Sequence, residues 1–194
     1  TSRENFVNAM TISCFSFIDV ARRASAMMSD GGSIMTLTFE GASRVMPCYN
    51  VMGVAKAGLE TAVRYLAADL GPEGIRVNAI SPGPMKTLAG AAIGGARATF
   101  RHTEQNAPLR ANATLEAIGG TAVWLCSDWG ACTTGEIVRV DGEPVSGSRG
   151  MRPRRLPSAS AVRSGGSRSA STMVCYSAYS REEPTMRRGF NEHD

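Results

Sequence analysis

Tyr49 and Lys56 stand in the run Pro47-Cys48-Tyr49-Asn50-Val51-Met52-Gly53-Val54-Ala55-Lys56-Ala57-Gly58-Leu59-Glu60. On a helix this spacing closes almost two turns, so both side chains share one face about 10 Å apart along the axis. An ammonium on the face of a phenol favours the phenolate, and the pair can donate a proton or hydrogen bond to a developing oxyanion. Lysine is scarce here: of 21 basic residues only Lys56 and Lys86 are lysines, the other 19 being arginines. A lysine kept on the tyrosine face of so arginine-biased a chain points to a need for a compact ammonium. The same pattern also describes an ordinary amphipathic helix with a snorkelling lysine, and the spacing alone leaves both open.

The elements that position this pair are legible as alternation. Thr1-Ser2-Arg3-Glu4 has capping-box spacing, with Thr1 as the cap. Apolar residues at Phe6, Met10, Ile12, Phe15, Phe17, Ile18, Ala21 and Met27 predict one long, largely buried helix over 1–28, ended by Asp30-Gly31-Gly32. Residues 33–39 alternate and are β-branched, which predicts a strand. A loop with Gly41 and Pro47 leads to the Tyr/Lys helix, about 48–70, stopped by Gly71-Pro72. A strand follows at 75–80, a turn at 81–84, and then 85–110, which is Gly/Ala-rich and weakly periodic and is expected to be a mobile lid. Thr114 caps a helix reaching about Ser127, with Ala117, Val123, Trp124 and Leu125 expected inward, and 136–140 is a third strand. This order predicts βαβ units and a parallel α/β sheet. Ligands bind such sheets beyond the carboxyl ends of the strands. There the end of the 33–39 strand, the 81–87 turn and the Tyr49/Lys56 face are expected to converge.

The charge is unevenly placed. Residues 1–142 hold 12 Lys/Arg and 12 Asp/Glu, whereas the last 52 residues hold 9 Arg and 5 Asp/Glu and carry the whole net charge of +4. The basic balance therefore belongs to a Ser/Arg/Gly-rich tail at 143–194, expected to be disordered. It says little for nucleic acid binding by the body, and the tail lacks regular Arg-Gly or Arg-Ser repeats with interleaved aromatics. Five cysteines without Cys-x2-Cys spacing, and only two histidines, His102 and His193, argue for reduced thiols in a cytoplasmic protein and against a metal site. No 18-residue apolar run or secretory signal is visible, so no membrane span is expected. A first residue of Thr1 rather than Met suggests a fragment.

Tyr49-Asn50-Val51-Met52-Gly53, Ala55-Lys56-Ala57 and Leu59-Glu60, followed by Gly71-Pro72-Glu73-Gly74-Ile75-Arg76-Val77-Asn78-Ala79-Ile80-Ser81-Pro82-Gly83-Pro84, closely resemble the NADH-dependent enoyl-(acyl-carrier-protein) reductases. These form a divergent branch of the short-chain dehydrogenase/reductase superfamily, whose ordinary members use Tyr-x3-Lys. Here Gly53 stands where that lysine would be and Met52 where the matching tyrosine would be. The resemblance covers roughly residues 1–142. It implies the C-terminal part of a Rossmann-like, doubly wound parallel sheet. It also implies that a Gly-rich phosphate loop and an acidic ribose ligand, absent from these 194 residues, belong to a preceding half. The family continues after its final Asp-Gly with another Gly, an aromatic and a short apolar segment. Residues 143–194 depart from that pattern and are read as foreign to the family.

By the resemblance, NADH gives hydride to C3 of a trans-2-enoyl thioester carried on acyl carrier protein, in type II fatty acid synthesis. Tyr49 would hydrogen-bond the enolate oxygen, and Lys56 would hold the nicotinamide ribose hydroxyls. Met85 and Thr87 match positions that contact the nicotinamide amide and the cofactor phosphates, preceded by Ile80, Ser81 and Pro82. Ser81-Pro82-Gly83-Pro84 also fits a merely stiff turn. Phe39 stands where the family often has a second tyrosine and can only pack. Thr36 and Ser13, near positions where ordinary members of the superfamily place a catalytic Ser and Asn, are expected to be structural, and Lys86 a surface charge. Met46, Met52, Ala89, Ala92, Ile93 and Phe100 would line an acyl pocket, or equally serve as core. Arg97 and Arg101 would meet the acidic carrier protein. Helices 1–28 and 48–70 correspond to those that build the family's homotetramer. With half the sheet missing, strand 33–39 is expected to present a bare edge, and the chain alone to have little or no activity. Two alternatives remain: a related reductase of another carbonyl or enoyl substrate, and a truncated, non-catalytic association module.

Overall fold

The computed structural model describes residues 1–85 and 96–142, residues 96 and 97 by their backbone only. Three parallel strands form one sheet in the order β1 (Gly32–Leu37), β2 (Ile75–Pro82), β3 (Ile137–Val140). Gly32 pairs with Ile75 and Leu37 with Ile80; Ala79 pairs with Ile137 and Pro82 with Val140. The helices are α1 (Arg3–Met10), α2 (Ser16–Ser25), α3 (Asn50–Leu70), α4 (Ala96–Asn106) and α5 (Leu115–Cys126). A π-helical stretch, Thr11–Phe15, runs α1 into α2 without a break.

Strand alternation gives the sheet two apolar faces. Ile34, Ile75, Val77, Ala79 and Ile137 point to one side, against Ala21 of α2 and Val63 and Ala67 of α3. Met35, Ile80, Val138 and Val140 point to the other, against Ile118 and Leu125 of α5. Helices on both faces of a parallel sheet make the doubly wound α/β arrangement expected from the sequence. Two polar residues of β2 finish the α5 side. Arg76 donates to the carbonyls of Leu125 (2.7 Å) and Ser127 (3.3 Å) at the end of α5, where a cation also meets the negative end of the helix. Asn78, fully buried, donates to Thr133 O at 2.8 Å and accepts from Glu136 N at 3.0 Å, so it positions the entry to β3. After α3, Gly74 takes φ +74°, a left-handed turn that glycine adopts without strain, and sends the chain into β2.

Several expectations need correction. The cap of α1 is Ser2, whose Oγ accepts from Asn5 N–H at 3.1 Å, not Thr1. The first helix is not largely buried: only Cys14 and Ala21 are, while Ile12 (62% exposed), Phe15 and Val20 face outward. Apolar periodicity reports which side wants cover, and no layer among the described residues covers that flank. On α5, Ile118 and Leu125 point inward, seven residues apart on one face, but Ala117, Val123 and Trp124 are exposed. Part of the expected lid, 96–106, is the regular helix α4, in which Thr103 is buried, as is Ala107 directly after it. Thr114 does cap α5, accepting from Ala117 N–H at 3.1 Å. β1 pairs with β2 on one side and has no strand on its other side among the described residues. The tail at 143–194 lies outside the described residues.

Candidate active site

Tyr49 is not inside the helix, as its spacing suggested, but is its N-cap, at φ −105° and ψ 5°. Cys48 before it takes φ +62°, in the left-handed region, and Tyr49 itself lies outside helical dihedrals, so the helix starts at Asn50. The helix begins by using Tyr49's carbonyl, which accepts from Gly53 N–H at 2.7 Å.

The phenol ring is set by the turn that leaves β1. Thr38 N–H continues the sheet ladder onto Ile80 O at 2.9 Å, and Phe39 is extended. Phe39 meets Tyr49 edge-on, with ring centroids 5.2 Å apart at 61°. The ring lies over Gly41, where a Cβ would fall 2.3 Å from Tyr49 Cδ1. Gly53 closes the same contact, since a Cβ there would sit 2.9 Å from Gly41 O. Two missing side chains thus let turn, ring and helix touch. Glu40, buried in that turn, is paired with Arg44 at 2.5 Å, and Arg139 next to the end of β3 donates to Ser43 Oγ at 2.9 Å.

Lys56 projects from α3 to the carboxyl end of β1, where its ammonium donates to Leu37 O at 2.9 Å. One turn further on, Glu60 accepts from the buried Thr38 hydroxyl at 2.9 Å. Cys14 of the π-helical stretch packs where Gly58 has no side chain, and its thiol is electrostatically coupled to Lys56.

Burial pushes the Tyr49 phenol up to about 12 from 10.0, with no contribution from a nearby cation. This overturns the expectation that Lys56 favours the phenolate: at ordinary pH Tyr49 is a neutral hydroxyl and a hydrogen-bond donor. Its hydroxyl has no partner among the described residues. Burial lowers the Lys56 ammonium from its ordinary value, opposed by Cys14 and Glu60. Lys56 spends one of its three donors on Leu37 O. An unpartnered neutral hydroxyl and an ammonium with donors to spare, both near the carboxyl end of β1, fit a ligand rich in oxygen acceptors.

The structure distributes the other expected site residues unevenly. Phe39 and Tyr49 are brought into contact, and Met46 O accepts from Tyr49 N–H at 3.3 Å. Met52 turns to the first helix instead, where Ser13 Oγ approaches its sulfur at 3.9 Å. Ile80 and Ser81 are buried, Ile80 in the core beneath α5, so its side chain packs rather than faces the edge; Pro82 and Met85 are partly exposed. Met85 and Phe100 share an open cavity of about 680 Å³ with Glu104, Arg110, Asn112 and Leu115. Lys86, Thr87, Ala89, Ala92, Ile93 and the side chain of Arg97 lie outside the described residues; Arg101 is exposed on α4. The sequence reasoning missed the Glu40–Arg44 and Thr38–Glu60 pairs and the Gly41–Gly53 contact. Only the two glycines flanking Tyr49 signalled any of them. Among the described residues no group of His, Cys, Asp and Glu could hold a metal, and no helix is long and apolar enough to cross a membrane.

Comparison with known proteins gives a consistent set. A family model described as enoyl-(acyl carrier protein) reductase matches residues 1–142. The chain is 57% identical over 141 residues to enoyl-(acyl-carrier-protein) reductase (NADH) 2 of Rhizobium meliloti, covering 73% of this chain and 53% of that protein. It is 53% identical over 149 residues to the corresponding NADH enzyme of Rickettsia felis, covering 76% and 57%. Among solved structures, the Bacillus cereus enoyl-acyl carrier protein reductase with NADP+ and an indole naphthyridinone superposes with a TM-score of 0.72 at 52% identity, over 73% of this chain and 55% of that one. The Anaplasma phagocytophilum enzyme in complex with NAD gives 0.70 at 52% identity, over 73% and 54%. The chain spans about half the length of the curated relatives it matches.

Proposed function

Because the chain belongs to the enoyl-(acyl carrier protein) reductase family over residues 1–142, we propose that it carries the tyrosine–lysine half of a site reducing the trans-2 double bond of an enoyl thioester. The observation that carries this is the Tyr49 hydroxyl: neutral, unpartnered among the described residues and held at the carboxyl edge of the sheet by Phe39, Gly41 and Gly53.

NADH, when bound, supplies the hydride that goes to C3. Tyr49 then donates a hydrogen bond to the thioester oxygen as negative charge collects there, and the charge is relieved when C2 takes a proton. A donor aimed at charge that develops only in the transition state lowers the barrier without tightening substrate binding. With its pKa at about 12, Tyr49 makes this bond without giving up its proton at ordinary pH. Lys56 offers its remaining donors to the nicotinamide ribose hydroxyls, and Leu37 O fixes where the ammonium sits. Pro82, Met85 and Thr87 are proposed to follow the cofactor along the second strand's exit, with Ile80 and Ser81 contributing backbone. Phe39, Met46, Phe100, Ala89 and Ile93 are proposed to meet the acyl chain, Met52 less directly. Arg97 and Arg101 are proposed to meet acyl carrier protein. The exposed Ile12, Phe15 and Val20 support a homotetramer, checked by sedimentation of the purified chain. A monomer at micromolar concentration would count against it.

No Gly-rich phosphate loop is present in the 194 residues, so the reading predicts weak cofactor binding and little turnover by this chain alone. It is tested by fluorescence titration with reduced nicotinamide mononucleotide, which lacks the adenosine half, alongside NADH. Saturable binding of the mononucleotide that Lys56→Ala abolishes, with NADH binding no tighter, is the expected result. Binding indifferent to Lys56→Ala would overturn it. Any turnover should favour crotonyl over acetoacetyl thioester; the reverse would point to a carbonyl reductase.

A further inference from the structure

Two consecutive residues at the end of β1 are gripped by two side chains one turn apart on α3. Lys56 holds the Leu37 carbonyl at 2.9 Å, and Glu60 accepts from the Thr38 hydroxyl at 2.9 Å. Thr38 is 4% exposed, and its N–H is committed to Ile80 O at 2.9 Å, so the hydroxyl has little freedom to seek another acceptor. Residues four apart on a helix lie on the same side, so Glu60 and Lys56 address the strand end together.

We propose that Glu60 is a positioning residue for Lys56: through Thr38 it ties the carboxyl end of β1 to α3 and so fixes the carbonyl on which the Lys56 ammonium rests. The carboxylate also lends Lys56 a counter-charge from its own helix. The other titratable group facing Lys56 is the Cys14 thiol, from the π-helical stretch; the Tyr49 phenol at the N-cap of α3 has no electrostatic interaction with it. Cys14 is buried, and its thiol is pushed up by that burial and drawn back by the Lys56 ammonium. Without the Thr38 bond, the strand end and the ammonium lose their common anchor, and Glu60 can turn to water. The inference rests on Lys56 being the cofactor-holding residue, as proposed above, but its test needs no cofactor.

The chain's composition supplies the probe. Only Lys56 and Lys86 are lysines, so lysine labelled with carbon-13 at Cε gives two resonances, and Lys86→Arg assigns them. The full chain would be titrated from pH 7 to 11 as wild type, Thr38→Val, Glu60→Gln and the double variant. The expected result is a downward shift of the Lys56 midpoint in each single variant, with the double variant adding little, as residues acting in series do. Lys56 resonances and midpoints unchanged in both single variants would overturn the proposal, as would a shift in Glu60→Gln with none in Thr38→Val. Should Thr38→Val fail to fold, Glu60→Gln with Glu60→Asp decides. The shorter aspartate keeps the charge but loses reach to Thr38, and a wild-type midpoint in it refutes action through Thr38. Failure of the mononucleotide titration with a shifted Lys56 midpoint would remove the functional reading and leave the clasp standing.

Discussion

Gly41→Ala should dislodge Tyr49 although the two residues never bond. The added methyl would lie 2.3 Å from Cδ1 and 2.6 Å from Cε1 of the ring, against a normal carbon contact of about 3.5–4.0 Å. The ring must therefore move by roughly 1 Å or more. The neighbours resist: Phe39 stands edge-on at 5.2 Å, and the Tyr49 backbone is held by the Gly53 N–H bond of 2.7 Å. Gly41 has no positive φ, so alanine is compatible with its backbone. The substitution should then gain about 0.4–1 kcal/mol by restricting the unfolded chain. Overpacking costs about 1–3 kcal/mol, and with a clash to a ring held on two sides the cost wins. A net loss near 1–2 kcal/mol corresponds to a fall in Tm of roughly 3–8 °C for a fold of this size. Thermal unfolding followed by circular dichroism reads it, in wild type and in a Tyr49→Ala background. In that background the ring is gone and Gly41→Ala should be neutral or stabilising. The reasoning is refuted if Gly41→Ala melts with wild type, or if its penalty is the same without the ring.

The Tyr49 shift has a stability consequence with a definite sign. The folded phenol titrates near 12 and the unfolded one near 10.0, so the unfolded state loses its proton first and stability drops as pH rises from about 10 to 12. Tyr49→Phe should lose less than wild type across that window in matched urea titrations, while equal losses would mean that the phenol is not buried. Asn78→Ala removes both the donor to Thr133 O and the acceptor for Glu136 N from a fully buried site. It should cost about 2–3 kcal/mol, read as a lower urea midpoint; a change under about 0.5 kcal/mol would show that the loop into β3 finds other partners.

Much of the architecture was readable because strand periodicity and breakers agree. Gly71-Pro72 does end α3, Thr114 does cap α5, and each expected strand exists within two residues of its expected bounds. Residue type and spacing singled out Tyr49 and Lys56 as a candidate pair, and the family resemblance gave each its expected role. What failed is what a pattern cannot encode. A helical spacing assigns Tyr49 to a helix, whereas Cys48's left-handed backbone puts it on the cap. Hydrophobicity marks Phe15 and Trp124 as apolar but does not say which neighbour covers them. Glu40 drew no reading from the sequence, because its burial beside Phe39 depends on the pairing with Arg44 that only the folded turn brings about. The expected mutual charge effect of Tyr49 and Lys56 assumed one shared helical face; the cap geometry gives the phenol a burial-dominated environment instead.

The π-helical stretch at Thr11–Phe15 is a built-in phase shifter. One extra residue in a turn rotates everything on one side of it by about 100° relative to the other. The apolar residues of α1 and α2 therefore do not form one stripe, and it is Cys14, at the shift itself, that meets Gly58 of α3. Chain length at this point is thus a variable separate from side-chain chemistry. Deleting a single residue between Thr11 and Phe15 would let an unbroken α-helix form, turn α1 by about a quarter turn against α2, and present a different set of residues to α3 and to anything lying against the first helix, with no residue elsewhere exchanged.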